Sequence, residues 1–136
     1  MKLILISVLL GATVLLAVSS CATVPTEPLR EGELRLLKME VPENGNLIVG
    51  ASYKSNIRFE ADGKPEITRA VCFYSGNGPY YYKVEGVEYG SQANFNVYLS
   101  PYDIGSQTLE CYTDYVSDGK RKRSNSVSSF ISGRSR

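Results

Sequence analysis

Histidine and tryptophan are both absent from this 136-residue chain. Without histidine, the commonest general base near neutral pH and the commonest metal ligand are missing. A cysteine nucleophile would need such a base beside it, and none is available. A dominant charge is missing too, since 15 Lys and Arg stand against 14 Asp and Glu. No whole-protein field therefore steers nucleic acid, an acidic substrate or an anionic membrane. The chain has no Gly-x-Ser-x-Gly elbow, no phosphate-cradling glycine loop and no metal-ligand cluster. These absences predict a protein that is not an enzyme and carries no metal and no non-covalent cofactor. After the first twenty residues no 3.6-residue apolar period recurs, which speaks against helices.

What is present begins with the amino terminus. Met1 and Lys2 are followed by the uncharged run LILISVLLGATVLLAV, Leu3 to Val18. Sixteen residues are short for a membrane span, which takes about 20 apolar residues. The next charge after Lys2 is Glu27, so no basic stop-transfer cluster follows. The order of a positive residue, an apolar run and small residues is that of a secretory signal.

The end of that run, Val18-Ser19-Ser20-Cys21, resembles the lipobox of bacterial lipoproteins. In that family a diacylglycerol is attached to the cysteine thiol, and the signal is cut immediately before it. An acyl chain such as palmitate is then usually added to the new amino terminus. The resemblance implies a signal peptide over 1–20, lipidation of Cys21 as the only covalent group, and attachment to a membrane through that lipid. Two or more chains make such an anchor durable where one does not. In enteric bacteria an aspartate after the lipidated cysteine retains the protein at the inner membrane. Here that position is Ala22, which implies the outer membrane.

Lipidation would also settle an awkward count. Three cysteines, Cys21, Cys72 and Cys111, are an odd number for an exported chain. With Cys21 acylated, Cys72 and Cys111 remain as a pair that an oxidising compartment would join, closing a loop of about 40 residues and contributing roughly 4 kcal/mol. Two buried free thiols are the other possibility.

Residues 21–33 hold two prolines and several charges and read as a lipidated tether. Short alternating segments then run to residue 133, with 134–136 as a tail. Seven strands are expected: Leu34–Val41, Tyr53–Asp62, Glu66–Gly76, Tyr80–Gly90, Asn94–Ser100, Thr108–Val116 and Ser124–Ser132. Turn signals separate them, including Pro42-Glu43-Asn44-Gly45, Asp62-Gly63-Lys64-Pro65, Gly76-Asn77-Gly78-Pro79 and Asp118-Gly119. Seven strands with such spacing form the pattern of a β-sandwich.

The segment from Gly105 to Ser132 resembles the last hairpin of immunoglobulin-like domains in bacterial exported proteins. It has a glycine turn, Leu-x-Cys, an Asp-Gly turn and a final strand rich in Ser and Val. The resemblance implies a single all-β, immunoglobulin-like β-sandwich over 34–133. It departs from antibody domains in lacking the tryptophan and in placing the first cysteine, Cys72, on the third strand. Strict alternation from Ile67, Val71 and Phe73 would point Cys72 outward, away from Cys111. Bonding requires either a bulge that shifts the register or a buried set of Ala70, Cys72 and Tyr74.

Two surface candidates stand out. Tyr80-Tyr81-Tyr82 suits a protein or glycan interface, because tyrosine offers a broad face with a polar tip, yet it also suits strand pairing. Lys120-Arg121-Lys122-Arg123 could meet phosphate groups or an acidic partner, or keep the last hairpin solvated. The acidic pairs Glu60/Asp62, Glu85/Glu88 and Asp114/Asp118 fall at turns or on polar strand faces, where no deep cleft for catalysis is expected. The expectation is a non-catalytic binding or assembly protein of the cell envelope, with no nucleic acid partner. The alternative is an inhibitor or regulator of an envelope enzyme, presenting Ser75 to Tyr82 as a loop.

Overall fold

The computed structural model describes residues 27–136. The signal segment 1–20 and Cys21 lie outside the described residues. Ten strands follow: β1 (Leu34–Glu40), β2 (Asn46–Ile48), β3 (Tyr53–Ala61), β4 (Glu66–Tyr74), β5 (Asn77–Tyr82), β6 (Val84–Glu88), β7 (Asn94–Leu99), β8 (Gly105–Ser117), β9 (Lys120–Arg123) and β10 (Val127–Arg134). A single 3-10 turn, Glu43–Gly45, is the one other regular element among the described residues.

The strands form two sheets, β1-β3-β7-β6 and β2-β10-β8-β4-β5, with β9 paired to the far end of β8. In immunoglobulin lettering these are A-B-E-D and A′-G-F-C-C′, with the first strand divided between the sheets and its second part running parallel to the last. The fold is therefore an all-β, immunoglobulin-like sandwich. Asn46–Ile48 is the divided part, a short strand of the larger sheet.

The expected strand Tyr80–Gly90 is two strands. Lys83 carries the chain from the larger sheet to the smaller one, and β6 then pairs with β7 across an irregularity between Glu85 and Glu88. The expected turn Gly76–Pro79 shrinks to Ser75-Gly76, both at positive φ, so that Asn77, Gly78 and Pro79 belong to β5. Asp118-Gly119 makes the expected tight hairpin, with φ of 52° and 72°, joining Ser117 to Lys120.

Two bulges set which residues face the core. In β1 the register shifts between Leu36 and Lys38, so the buried set moves from Leu34 and Leu36 to Met39. In β4 it shifts between Ile67 and Arg69, so Ile67 and then Ala70, Cys72 and Tyr74 face inward. Both conditions named for the disulfide are thus met together. Cys72 pairs directly with Cys111 at a Cα–Cα distance of 4.2 Å, and the two are bonded. The bond joins neighbouring strands of one sheet and not the two sheets. The core between the sheets holds Phe95, Ile57, Leu99 and Leu109, each fully buried.

The sheets also meet through side chains that serve as strand partners. The free edge of β1 offers the Leu36 N–H and C=O, and Asn125 takes both: its Oδ1 accepts the N–H at 2.8 Å, and its Nδ2 donates to the carbonyl at 2.9 Å. Farther along the same edge the Tyr115 hydroxyl accepts the Leu34 N–H at 3.2 Å. At the opposite end of the sandwich the β7–β8 connection closes over β10. A Cβ on Gly133 would lie 2.1 Å from the Asp103 carbonyl oxygen, so only glycine permits that approach.

Candidate functional surface

Alternation along β4, β5, β8 and β10 sorts the larger sheet into a core face and an outer face. On the outer face, Tyr81, Val71 and Tyr112 form one cross-strand row, and Arg69, Asp114 and Arg123 form the next. Phe73 lies opposite Glu110, and Phe130 lies opposite Thr108. Phe130 is 82% exposed and Tyr81 57% exposed, whereas Val71, between Tyr81 and Tyr112, is fully covered. Phe73 and Tyr112 approach with ring centroids 6.3 Å apart.

Charge is tied into this face. Arg69 Nε donates to Asp114 Oδ2 at 2.9 Å while its guanidinium lies 4.1 Å from the Tyr81 ring centre. Arg123 mirrors it, 3.9 Å from Asp114 Oδ1 and 4.3 Å above the Tyr112 ring. The hydrogen bond to Asp114 raises the Arg69 pKa above its ordinary value. A cleft of about 570 Å³ opens beside this row, with Thr68, Val116 and Arg121 on its walls. At the other end of the sheet a groove of about 400 Å³ runs past Phe130, lined by Asn44, Ser106, Thr108 and Ser132.

Of the tyrosine run, only Tyr81 joins this surface. Tyr80 stacks on Tyr102 at 5.0 Å and meets Tyr74 edge-on at 5.5 Å. The Tyr82 and Tyr74 hydroxyls are 2.7 Å apart. Burial pushes the Tyr74 phenol well above the ordinary tyrosine range, and the Tyr82 hydroxyl adds to the rise. Burial likewise raises Tyr82. The run is therefore not one exposed surface: strand alternation turns Tyr80 and Tyr82 towards the core side. Nor is Ser75 to Tyr82 a protruding loop. It is a two-residue turn followed by an edge strand paired with β4.

The basic run divides in the same way. It is a strand, β9, and places Arg121 and Arg123 on the outer face opposite Val116 and Asp114. Lys120 sits exposed at the hairpin turn. Lys122 points to the other side, where its Nζ would lie 3.6 Å from a Cβ on Gly32. The acidic pairs hold structure together. Glu60 meets Arg35 at 3.2 Å, Asp62 accepts the Gly32 N–H at 2.8 Å, and Asp114 bridges the two arginines. Glu85 and Glu88 flank the β6 irregularity, and Asp118 occupies the hairpin turn. Among the described residues no group of three or more His, Cys, Asp and Glu could hold a metal ion. No described helix is long and apolar enough to cross a membrane.

The sequence reading missed Arg69, Phe73, Tyr112 and Phe130 as members of this surface, and placed Asp114 on a polar strand face without its arginine partners. Phe130 was accessible to it, since Val127 and Ile131 as inward residues of the last strand leave Phe130 outward. Arg69 was not, because the bulge at Thr68 reverses which residues of β4 face out.

No protein-family model matches this chain, and no curated protein matches it. Among solved structures it is similar to the CARDB domain of a Pyrococcus furiosus protein in complex with di-metal ions. That likeness has 12% identity and a TM-score of 0.47, covering 83% of this chain and 97% of the other. A cohesin module from a Clostridium perfringens family 33 glycoside hydrolase is similar at 14% identity and a TM-score of 0.38, covering 75% of this chain and 99% of that one. The Pseudomonas fluorescens alkylpurine DNA glycosylase AlkC, bound to DNA containing an abasic site analog, shares 13% identity at a TM-score of 0.44. There 76% of this chain corresponds to 31% of the glycosylase.

Proposed function

We propose that this chain is a non-catalytic binding or assembly protein of the bacterial cell envelope, anchored at the outer membrane by a lipid on Cys21. It binds an envelope protein through the outer face of its larger sheet. The anchor reading is supported by the sequence order of Lys2, the apolar run and Val18-Ser19-Ser20-Cys21, and the outer-membrane reading by Ala22. The observation that carries the binding reading is the exposure of Phe130 and Tyr81 on one face. Around them stand Phe73 and Tyr112, ring-stacked arginines, and the hydroxyls of Ser106 and Thr108. Aromatic residues and arginine are the types enriched where proteins meet.

The test is in-cell photo-crosslinking from positions 81 and 130, with position 98 on the opposite sheet as control. One envelope protein captured from 81 and 130, not from 98, and lost on Phe130→Asp supports the reading. Capture of glycan alone, or of the same abundant proteins from all three positions, refutes it. The anchor is tested separately: the mature amino-terminal peptide should carry acyl chains on Cys21, and Cys21→Ala should release the protein from the membrane fraction.

A further inference from the structure

The pairing of β9 with β8, and of β8 with β4, brings guanidinium groups from two strands onto one carboxylate. Arg69 and Arg123 stand on either side of Asp114, and Arg121 lies one row away opposite Val116. Arg69 is hydrogen-bonded at Nε to Asp114 and lies against the Tyr81 ring, while Arg123 stands 3.9 Å from the same carboxylate and lies over the Tyr112 ring. Their terminal η-nitrogens have no partner among the described residues, and neither does Arg121. The cleft of about 570 Å³ between them carries three guanidinium groups and one carboxylate, an excess of two positive charges, the Lys122 ammonium lying on the other side of β9. Glu66 lies at the rim, opposite Val116, and does not line the cleft.

We propose that this cleft binds a phosphate group. Guanidinium forks match oxyanions bidentately, and stacking on an aromatic ring fixes the fork before the ligand arrives. Forks reaching in from three directions exceed what the two oxygens of one carboxylate engage, whereas a phosphate offers oxygens in as many directions. The whole chain carries a net charge of only +1. The local excess is thus a product of strand pairing and not of composition.

The cleft also lies at the end of the sandwich where the chain enters. Gly32 donates its N–H to Asp62 and stands beside Ser117, the last residue of β8. Gly32 lies eleven positions after Cys21, a reach of at most about 40 Å. Headgroup phosphates of the anchoring membrane are one source within that reach, and a soluble phosphorylated compound is the other.

The test uses the chain beginning at Glu27, which retains the whole described core from Leu34 to Ile131. Inorganic phosphate is titrated at ionic strength held constant with chloride, while the arginine Nε–H resonances are followed by NMR. Saturable shifts at Arg69 and Arg123 are expected, with affinity falling about tenfold in Arg121→Ala for the loss of a charged hydrogen bond. Lys120→Ala, outside the cleft, leaves the affinity unchanged. A response equalled by chloride, or an equal loss in the two variants, overturns the proposal in favour of diffuse charge. Sedimentation with phosphatidylglycerol and phosphatidylcholine vesicles distinguishes the source. Binding to the anionic vesicles that Arg121→Ala abolishes assigns the phosphate to lipid headgroups, and saturable phosphate binding with no vesicle binding assigns it to a soluble ligand. Arg121 has no protein partner to lose, so its removal should leave stability within about 0.5 kcal/mol.

Discussion

Replacing Asn125 by alanine should destabilise the domain far more than a half-buried asparagine in a loop suggests. Its amide stands where a strand would, taking the Leu36 N–H at 2.8 Å and giving a hydrogen bond to the Leu36 carbonyl at 2.9 Å. Leu36 has no exposed surface, so water cannot replace either bond without opening the junction between β1 and the last strand. Each buried backbone group left unpaired costs about 1–3 kcal/mol, giving an expected loss of about 2–6 kcal/mol for Asn125→Ala, measured by guanidinium unfolding with the disulfide intact. Asn125→Asp separates the two bonds. It keeps the acceptor for the Leu36 N–H but sets a carboxylate oxygen against the Leu36 carbonyl, which raises the folded pKa of the new acid above its unfolded value of about 4. Below that value the protonated acid donates to the carbonyl, and the variant should approach the native protein. As pH rises through the folded pKa, that stability is lost. A cost under about 0.5 kcal/mol for Asn125→Ala, the range of ordinary surface changes, would refute the reasoning. So would an Asn125→Asp variant whose deficit does not change between pH 3 and pH 7.

Three further outcomes follow from buried groups. Tyr74 is 3% exposed and its phenol is raised, so above about pH 10 the unfolded chain holds fewer protons than the folded one. Stability should then fall by about 1.4 kcal/mol per pH unit from this group, and Tyr74→Phe should flatten that alkaline limb at a neutral-pH cost of about 1 kcal/mol. The Ser55 hydroxyl is fully buried with no partner among the described residues, so Ser55→Ala should stabilise by about 1 kcal/mol in thermal unfolding, and a loss would show that it is hydrogen-bonded. Removing the disulfide by Cys72→Ala with Cys111→Ala, a link spanning 39 positions, should cost about 4 kcal/mol.

Most of the sandwich was legible because its strands alternate cleanly. Ile57 and Phe59 on β3, and Phe95, Val97 and Leu99 on β7, are buried as period two requires. What was not legible depends on tertiary pairing. A turn residue such as Gly78 can belong to a strand when the neighbouring strand extends beside it, and a continuous run such as Tyr80–Gly90 can serve both sheets. The candidate surface suffered most, since one bulge at Thr68 decides whether Arg69 or Ala70 faces solvent. The runs Tyr80–Tyr82 and Lys120–Arg123 both lie on the larger sheet. Their pairing then left Tyr81, Arg121 and Arg123 as the members that face out.

The placement of the disulfide bears on how the two sheets hold together. In antibody domains the bond joins the sheets and a tryptophan packs on it. Here Cys72 on β4 and Cys111 on β8 reinforce a single sheet, the one that carries Tyr81, Arg69, Asp114 and Phe130 on its outer side. Holding β4 and β8 in register holds the rows Tyr81–Val71–Tyr112 and Arg69–Asp114–Arg123 in register as well. The bond therefore fixes the proposed binding face. Attachment of the smaller sheet is left to core packing and to the side-chain bonds that Asn125 and Tyr115 make with β1. A covalent bond serves the surface, and non-covalent contacts serve the sandwich, so the double cysteine variant should loosen the arginine–tyrosine rows even under conditions where the domain remains folded.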